Sequence, residues 1–355
     1  MIRKWIVIPL LLVSTLFGAV YTMDTWIPFL QDLKPEVELV IDKGTRKEVI
    51  TTLVAQLNAN YVFPEKAKQM ETALLQHLRD GKYDGITDGE TFAKQLTEDL
   101  RQVSRDLHMA VRSSPEPVPY DRAMPPPPAS KVEWEQRTPF ARRMLLNLGL
   151  AMGKIGAVKV DHLEANIGYL QLREFPPPFI MADRYPAAMD KLADTDGLIV
   201  DLRDNRGGSP ATVALLVSYF VDQRTRVNDL WDRTSGVTTQ QWTSEKLEGK
   251  LYGGKKPVVI LVGPDTKSAG EDFAYTMQAM KRATLIGAPT WGGAHPSRPF
   301  RLSEYFMAWI PSARSISPIT HTNWEGVGVQ PDIPATQDKA LAMAQELLQR
   351  RLAAR

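Results

Sequence analysis

The chain has 355 residues, 43% of them hydrophobic, which is enough for one large domain or two with a sizeable core. Forty-three basic residues against forty-one acidic ones leave a net charge of +2, so no field of one sign argues for nucleic acid. Cysteine is absent, which excludes disulfides, thiolate catalysis and cysteine-held metal together.

The first element is an export segment over residues 1–22. Arg3 and Lys4 precede an apolar run from Trp5 to Val20 broken only by Ser14 and Thr15 among clearly polar residues. It reads as a signal peptide or, since the run is nearly long enough to span a bilayer and lacks a good Ala-x-Ala cleavage site, as a membrane anchor. Either reading places the rest in the periplasm or outside the cell.

An N-terminal helical domain is expected over 36–113. Apolar spacing there predicts three helices, at 46–60, 64–80 and 89–105, with Pro64 and Thr87 as start signals. Residues 114–130 hold Pro115, Pro117, Pro119 and the run Pro125 to Pro128, which favours extended polyproline and reads as a linker or strap.

Strands and helices then alternate over 131–337, as in an α/β core. Strands are expected at 167–172, 197–202, 257–262, 284–286 and 306–310, and helices at 180–193, 210–221 and 268–281. The tail 338–355 has helical spacing.

Four clusters in this core could carry chemistry. Asp201-Leu-Arg-Asp-Asn-Arg-Gly207-Gly208 follows a strand and precedes a helix, and its glycines free backbone N–H groups for an anion or oxyanion. It has neither dinucleotide nor P-loop spacing. Ser268-Ala269-Gly270-Glu271 opens a helix directly after an apolar strand. That seat suits a nucleophile in the positive end of a helix dipole, yet the same four residues also make a capping box that needs no chemistry. Thr290-Trp291-Gly292-Gly293 is a loop that reads as a hairpin corner or a cleft wall, and Asn323-Trp324-Glu325-Gly326 sets an acid among Trp and Gly.

A serine nucleophile needs a base, and there are five histidines. His77 reads as a solvated helix position and His162 as part of a hairpin turn. His108, His295 and His321 all remain candidates on spacing alone.

Taken in order, Asp201-Leu-Arg-x-Asn-x-Gly-Gly208, the Ser268 turn, Thr290-x-Gly-Gly293 and Asn323-Trp-Glu-Gly-x-Gly-Val-x-Pro-Asp332 resemble the tail-specific, or C-terminal processing, serine peptidase superfamily. That superfamily includes the tricorn core and the interphotoreceptor retinoid-binding proteins, whose N-terminal domain the stretch 60–108 is similar to. The resemblance implies a ClpP/crotonase-like spiral core behind a small helical domain. It also implies Ser268 as nucleophile, His108 as base and Glu325 as supporting carboxylate. An oxyanion hole would come from Ala269 with Gly207 or Gly208, and Trp291, Gly292, Gly293 and Trp324 would stand near a substrate cleft. No metal or cofactor is implied, and the partner would be a peptide or protein.

Three departures accompany the resemblance. The lysine base of the processing branch is absent from the 290–293 loop. No room exists for a peptide-docking PDZ domain between His108 and the strand at Ile167. Leu107 stands where tricorn-like members carry a serine before the histidine. Two other functions are compatible with the same fold: a binding protein for an apolar small molecule or peptide, and an acyl-transfer enzyme of the crotonase kind.

Overall fold

The computed structural model describes residues 39–118 and 156–354, together with 132, 133, 136, 138, 144, 148 and 149 between them. The expected export segment, most of the proline-rich stretch and Arg355 lie outside the described residues.

The N-terminal bundle consists of α1 (Lys43–Asn60), α2 (Pro64–Arg79) and α3 (Gly89–Ser104), matching the three predicted helices closely. Asp42 and Asp88 cap α1 and α3 by accepting the N–H groups of Thr45 and Thr91, and Pro64 opens α2, where a missing N–H costs nothing. After α3 the chain turns at Arg105, in left-handed backbone (φ 60°), and runs into β1 (Ala110–Ser113).

The core begins with the hairpin β2 (Val158–Leu163) and β3 (Ile167–Leu172), turned at Ala165 and Asn166, both at positive φ. His162, expected in that turn, is instead on β2, its Nε2 3.0 Å from the Lys191 carbonyl. The single helix expected over 180–193 is two, α4 (Pro178–Met181) and α5 (Arg184–Leu192). Then come β4 (Gly197–Asp201), α6 (Pro210–Val217), β5 (Asp229–Asp232), β6 (Thr238–Thr239), β7 (Val258–Val262) and α7 (Ala269–Ala279). The chain closes with β8 (Thr284–Gly287), β9 (Ser297–Arg301), β10 (Phe306–Pro311), β11 (Ala313–Ile316), β12 (Ile333–Pro334) and α8 (Ala340–Ala353).

Six strands form the main sheet in the order β12-β8-β7-β4-β3-β2, parallel except for the β2–β3 hairpin. Because successive side chains point to opposite faces, each central strand feeds two cores. Leu198, Val200, Val258, Ile260 and Val262 pack with α5, α6 and α7, whereas Ile199, Val259 and Leu261 pack with Ala340, Ala344 and Leu348 of α8. The α/β class with a helical N-terminal part is what folds.

The bundle does not stand apart from this core. β1 pairs antiparallel with β10 over Ala110↔Trp309 to Ser113↔Phe306, and β10 pairs with β9. Val49, Leu53, Phe92 and Leu96 of the helices share one apolar cluster with Phe306, Ala308 and Ile310. The result delivers residue 108 to the mouth of the core from the far side.

Candidate active site

Parallel strands β4 and β7 end side by side, and the loops that leave them meet. After β4, Asn205 ties its loop inward: Nδ2 donates to the Leu172 carbonyl at 2.9 Å, Oδ1 accepts the Gly207 N–H at 2.9 Å, and its carbonyl accepts the Lys267 N–H at 2.8 Å. Asp201, buried beneath, accepts a two-pronged contact from Arg203 and the Tyr169 hydroxyl, which holds the base of the loop. The sequence reading missed Asn205, although its place in the Asp-Leu-Arg-x-Asn-x-Gly-Gly string was the available signal.

Gly207 and Gly208 have φ of 91° and 141°, and their surroundings explain why neither carries a side chain. A Cβ on Gly207 would lie 2.7 Å from the Ser268 Cβ, and one on Gly208 2.0 Å from the Phe175 carbonyl oxygen. The two amides differ. Gly207 N–H is committed to Asn205, while Gly208 is bracketed by Phe175 N–H→Gly207 O (2.7 Å) and Ser209 N–H→Phe175 O (2.6 Å). In that parallel bridge the Gly208 N–H points away from Phe175. Among the described residues it has no acceptor, and neither has the Ala269 N–H.

Ser268 sits between β7 and α7 at φ 51°, ψ −113°, a conformation that L residues avoid and that stores roughly 1–3 kcal/mol. What holds it there is Glu271, 0% exposed, whose carboxylate gathers four donors. They are Ser268 N–H (2.8 Å), Thr290 Oγ1 (2.6 Å), Gly292 N–H (2.5 Å) and Gly293 N–H (3.0 Å). Burial pushes the Glu271 carboxyl up, and these donors pull against it. Gly292 and Gly293, expected in the cleft wall, thus turn their amides onto Glu271. The Ser268–Glu271 capping box forms, and it leaves the serine Oγ within reach of a second partner.

That hydroxyl meets His108. Nε2 of the ring lies 3.2 Å from Ser268 Oγ, which is nucleophile–base distance across 160 residues of chain. Of the three histidines left open by spacing, His108 reaches the serine, His295 is buried behind it and His321 is exposed in a left-handed turn. Burial lowers the His108 pKa to about 4, against the raising effect of the Asp106 charge, so the ring is neutral near pH 7. Trp291 stands edge-on to it, ring centres 5.0 Å apart. Trp324 is not in the cleft wall: it is 2% exposed, donates its indole N–H to the Gly293 carbonyl and packs on Tyr275.

Glu325 is near the pair without touching it. Its Oε2 accepts the Ala294 N–H at 2.5 Å and lies 3.4 Å from His295 Nδ1, while Oε1 and the His108 Nδ1 each have no hydrogen-bond partner among the described residues. His295 Nδ1 is also 2.9 Å from Asp106 Oδ2, and the ligand atoms of Asp106, His295 and Glu325 lie within 4.8 Å of one another. Such a donor set has the composition to hold a cation, yet both Asp106 oxygens, His295 Nδ1 and Glu325 Oε2 already have hydrogen-bond partners.

Burial, reinforced by the Asp106 charge, pushes the Glu325 carboxyl up to about 7. A carboxyl that binds its proton more tightly when folded adds stability below its unfolded pKa of about 4.5, and that contribution fades as pH rises towards 7. Glu325→Gln removes this dependence. The melting temperature of the variant relative to wild type is therefore expected to climb between pH 4.5 and 7, as read by parallel thermal melts. The opposite slope from His108 is common to both proteins and cancels.

Comparison with known proteins bears on the family and the fold. Residues 166–335 match peptidase family S41, and residues 39–140 match the N-terminal domain of peptidase S41 in eukaryotic interphotoreceptor retinoid-binding protein. The carboxyl-terminal-processing peptidase 2 of Arabidopsis thaliana chloroplasts is 32% identical over 177 residues, 47% of this chain and 32% of that protein. The carboxy-terminal-processing protease of Bartonella bacilliformis is 28% identical over 195 residues, 52% of this chain and 42% of its own length. The matches therefore span less than half of these relatives. Among solved structures, one from Parabacteroides merdae described as a candidate peptidase superposes with a TM-score of 0.59 at 19% identity. It covers 85% of this chain and 96% of the other, which establishes a shared fold.

Proposed function

The chain belongs to peptidase family S41, and from that premise we propose that it is a serine peptidase cleaving peptide or protein substrates with Ser268 and His108. The observation that carries this is the 3.2 Å approach of His108 Nε2 to Ser268 Oγ. Ser268 Oγ attacks the scissile carbonyl as the neutral His108 takes its proton, and the imidazolium then protonates the leaving amine. Water hydrolyses the acyl-enzyme by the same steps in reverse roles. The developing oxyanion is received by the two uncommitted amides, Gly208 N–H and Ala269 N–H, each contributing about 3 kcal/mol in the transition state. Gly207, whose amide serves Asn205, lets the loop close onto the serine. The depressed His108 pKa keeps the base form available from neutral pH down to about 4, so activity extends into mildly acidic conditions.

We further place this activity outside the cytoplasm, on the strength of Arg3, Lys4 and the apolar run that follows them. Among the described residues no helix is long and apolar enough to cross a membrane.

A fluorophosphonate probe tests the reading. Peptide mapping is expected to find the label on Ser268, and His108→Ala is expected to slow labelling by roughly 10^2- to 10^4-fold. Absence of label on a folded wild-type protein would favour a binding protein on the same scaffold.

A further inference from the structure

Asp106 lies two residues before the proposed base, 1% exposed, and its two oxygens are committed in different directions. Oδ1 accepts the backbone N–H of His108 at 3.1 Å. Oδ2 faces His295 Nδ1 at 2.9 Å and the Tyr61 hydroxyl at 3.3 Å. The turn is stitched from outside by Arg101, which donates to the carbonyls of Leu107 (2.7 Å) and Met109 (2.8 Å). His295 is equally enclosed, 3% exposed, with Phe63 edge-on at 5.4 Å and its Nδ1 between Asp106 and Glu325.

Two carboxylates therefore confront a single imidazole nitrogen away from water. One N–H satisfies one of them, and like charges this close do not both ionise readily. The remaining groups around the cluster set the preference. Asp106 is supported by the Tyr61 hydroxyl, which burial and the Asp106 charge keep protonated, by the His108 N–H and by the positive field of Arg101. Glu325 has the Ala294 N–H alone and faces the further negative charge of Glu271. Of the two, Glu325 is the carboxyl whose pKa is pushed up. Asp106 is also the carboxylate whose charge acts on His108.

We propose that Asp106 and His295 are positioning residues for the base. Asp106 fixes the turn that aims His108 at Ser268 and stabilises the imidazolium formed during proton transfer, while His295 donates its Nδ1–H to hold that carboxylate in place. This rests on the Ser268–His108 reading above.

The test uses the full chain inhibited with a peptide boronic acid, whose negatively charged tetrahedral adduct on Ser268 favours the imidazolium and brings the His108 titration into an accessible range. With five histidines, the His108 midpoint can be followed by NMR. Asp106→Asn is expected to lower that midpoint by about 1–2 pH units and to slow fluorophosphonate labelling by roughly 10- to 100-fold. His295→Gln, whose amide can still donate to Asp106, is expected to label within about threefold of wild type, whereas His295→Leu loses about tenfold or more. An unmoved midpoint in Asp106→Asn, or equal labelling of the Gln and Leu variants, would overturn the proposal while leaving the nucleophile and base intact. If Asp106→Asn does not fold, the His295 pair decides. A wild type that forms no adduct at Ser268 removes the underlying reading and this one with it.

Discussion

Ser268→Ala is expected to abolish peptide hydrolysis, lowering kcat by roughly 10^5- to 10^6-fold, because removing a nucleophile leaves only what oxyanion donors and substrate binding contribute. Stability should change by less than about 1 kcal/mol. The Oγ makes its contact with His108, the Cβ that alanine retains is the part packed against Gly207, and the φ of 51° is as unfavourable for alanine as for serine. Turnover of a fluorogenic peptide together with a thermal melt separates the two effects. A variant that melts like wild type and still hydrolyses peptide at the wild-type rate would remove Ser268 from the mechanism.

Glu271→Ala is expected to act in the opposite way, on the fold first. It strips the shared acceptor from three backbone N–H groups and the Thr290 hydroxyl, with no water-facing surface to replace it. Each buried donor left unmet costs about 1–3 kcal/mol. Even with some relaxation the loss should reach about 4 kcal/mol, among the larger effects a single substitution produces. Urea unfolding measures it directly. Activity is expected to fall with it, because the same carboxylate holds Ser268 in its strained backbone and sets the loop that carries Trp291 against His108. A loss under 1 kcal/mol would show that the loop does not depend on Glu271.

The contrast between these residues bears on what the sequence makes legible. Ser268 and Glu271 are four letters that spell a helix cap, and local pattern cannot say whether the hydroxyl serves the helix or a substrate. The structure shows that the one use does not exclude the other: the capping box with Glu271 forms, and the same hydroxyl lies 3.2 Å from His108 Nε2. Regular elements were legible where the pattern is strong, as in the amphipathic helices α2 and α3 and the continuous apolar runs of the buried strands β3, β4 and β7. The short strands β5, β6, β9 and β11 were not, because two to five residues carry too little alternation, and β11 finds its partner β5 some eighty residues back along the chain. Asp106 and its pairing with His295, itself one of the candidate bases, were not legible either. The two residues are separated by 189 positions, and nothing in either neighbourhood announces the other. Trp324 was misplaced because an indole in a glycine-rich loop looks exposed in sequence, whereas here the loop folds back and buries it.

The pairing of β1 with β10 carries one more consequence. His108 stands two residues before β1, so its aim depends on a seam between the helical bundle and the strand layer, while Ser268 belongs to the separate interior around β7 and α7. Nucleophile and base are thus rooted in two different bodies of packing, held in register by four residue pairs. If that seam loosens while the main sheet survives, the molecule keeps its nucleophile, its amide donors and most of its secondary structure, but loses its general base. The chain can therefore be disarmed without being unfolded.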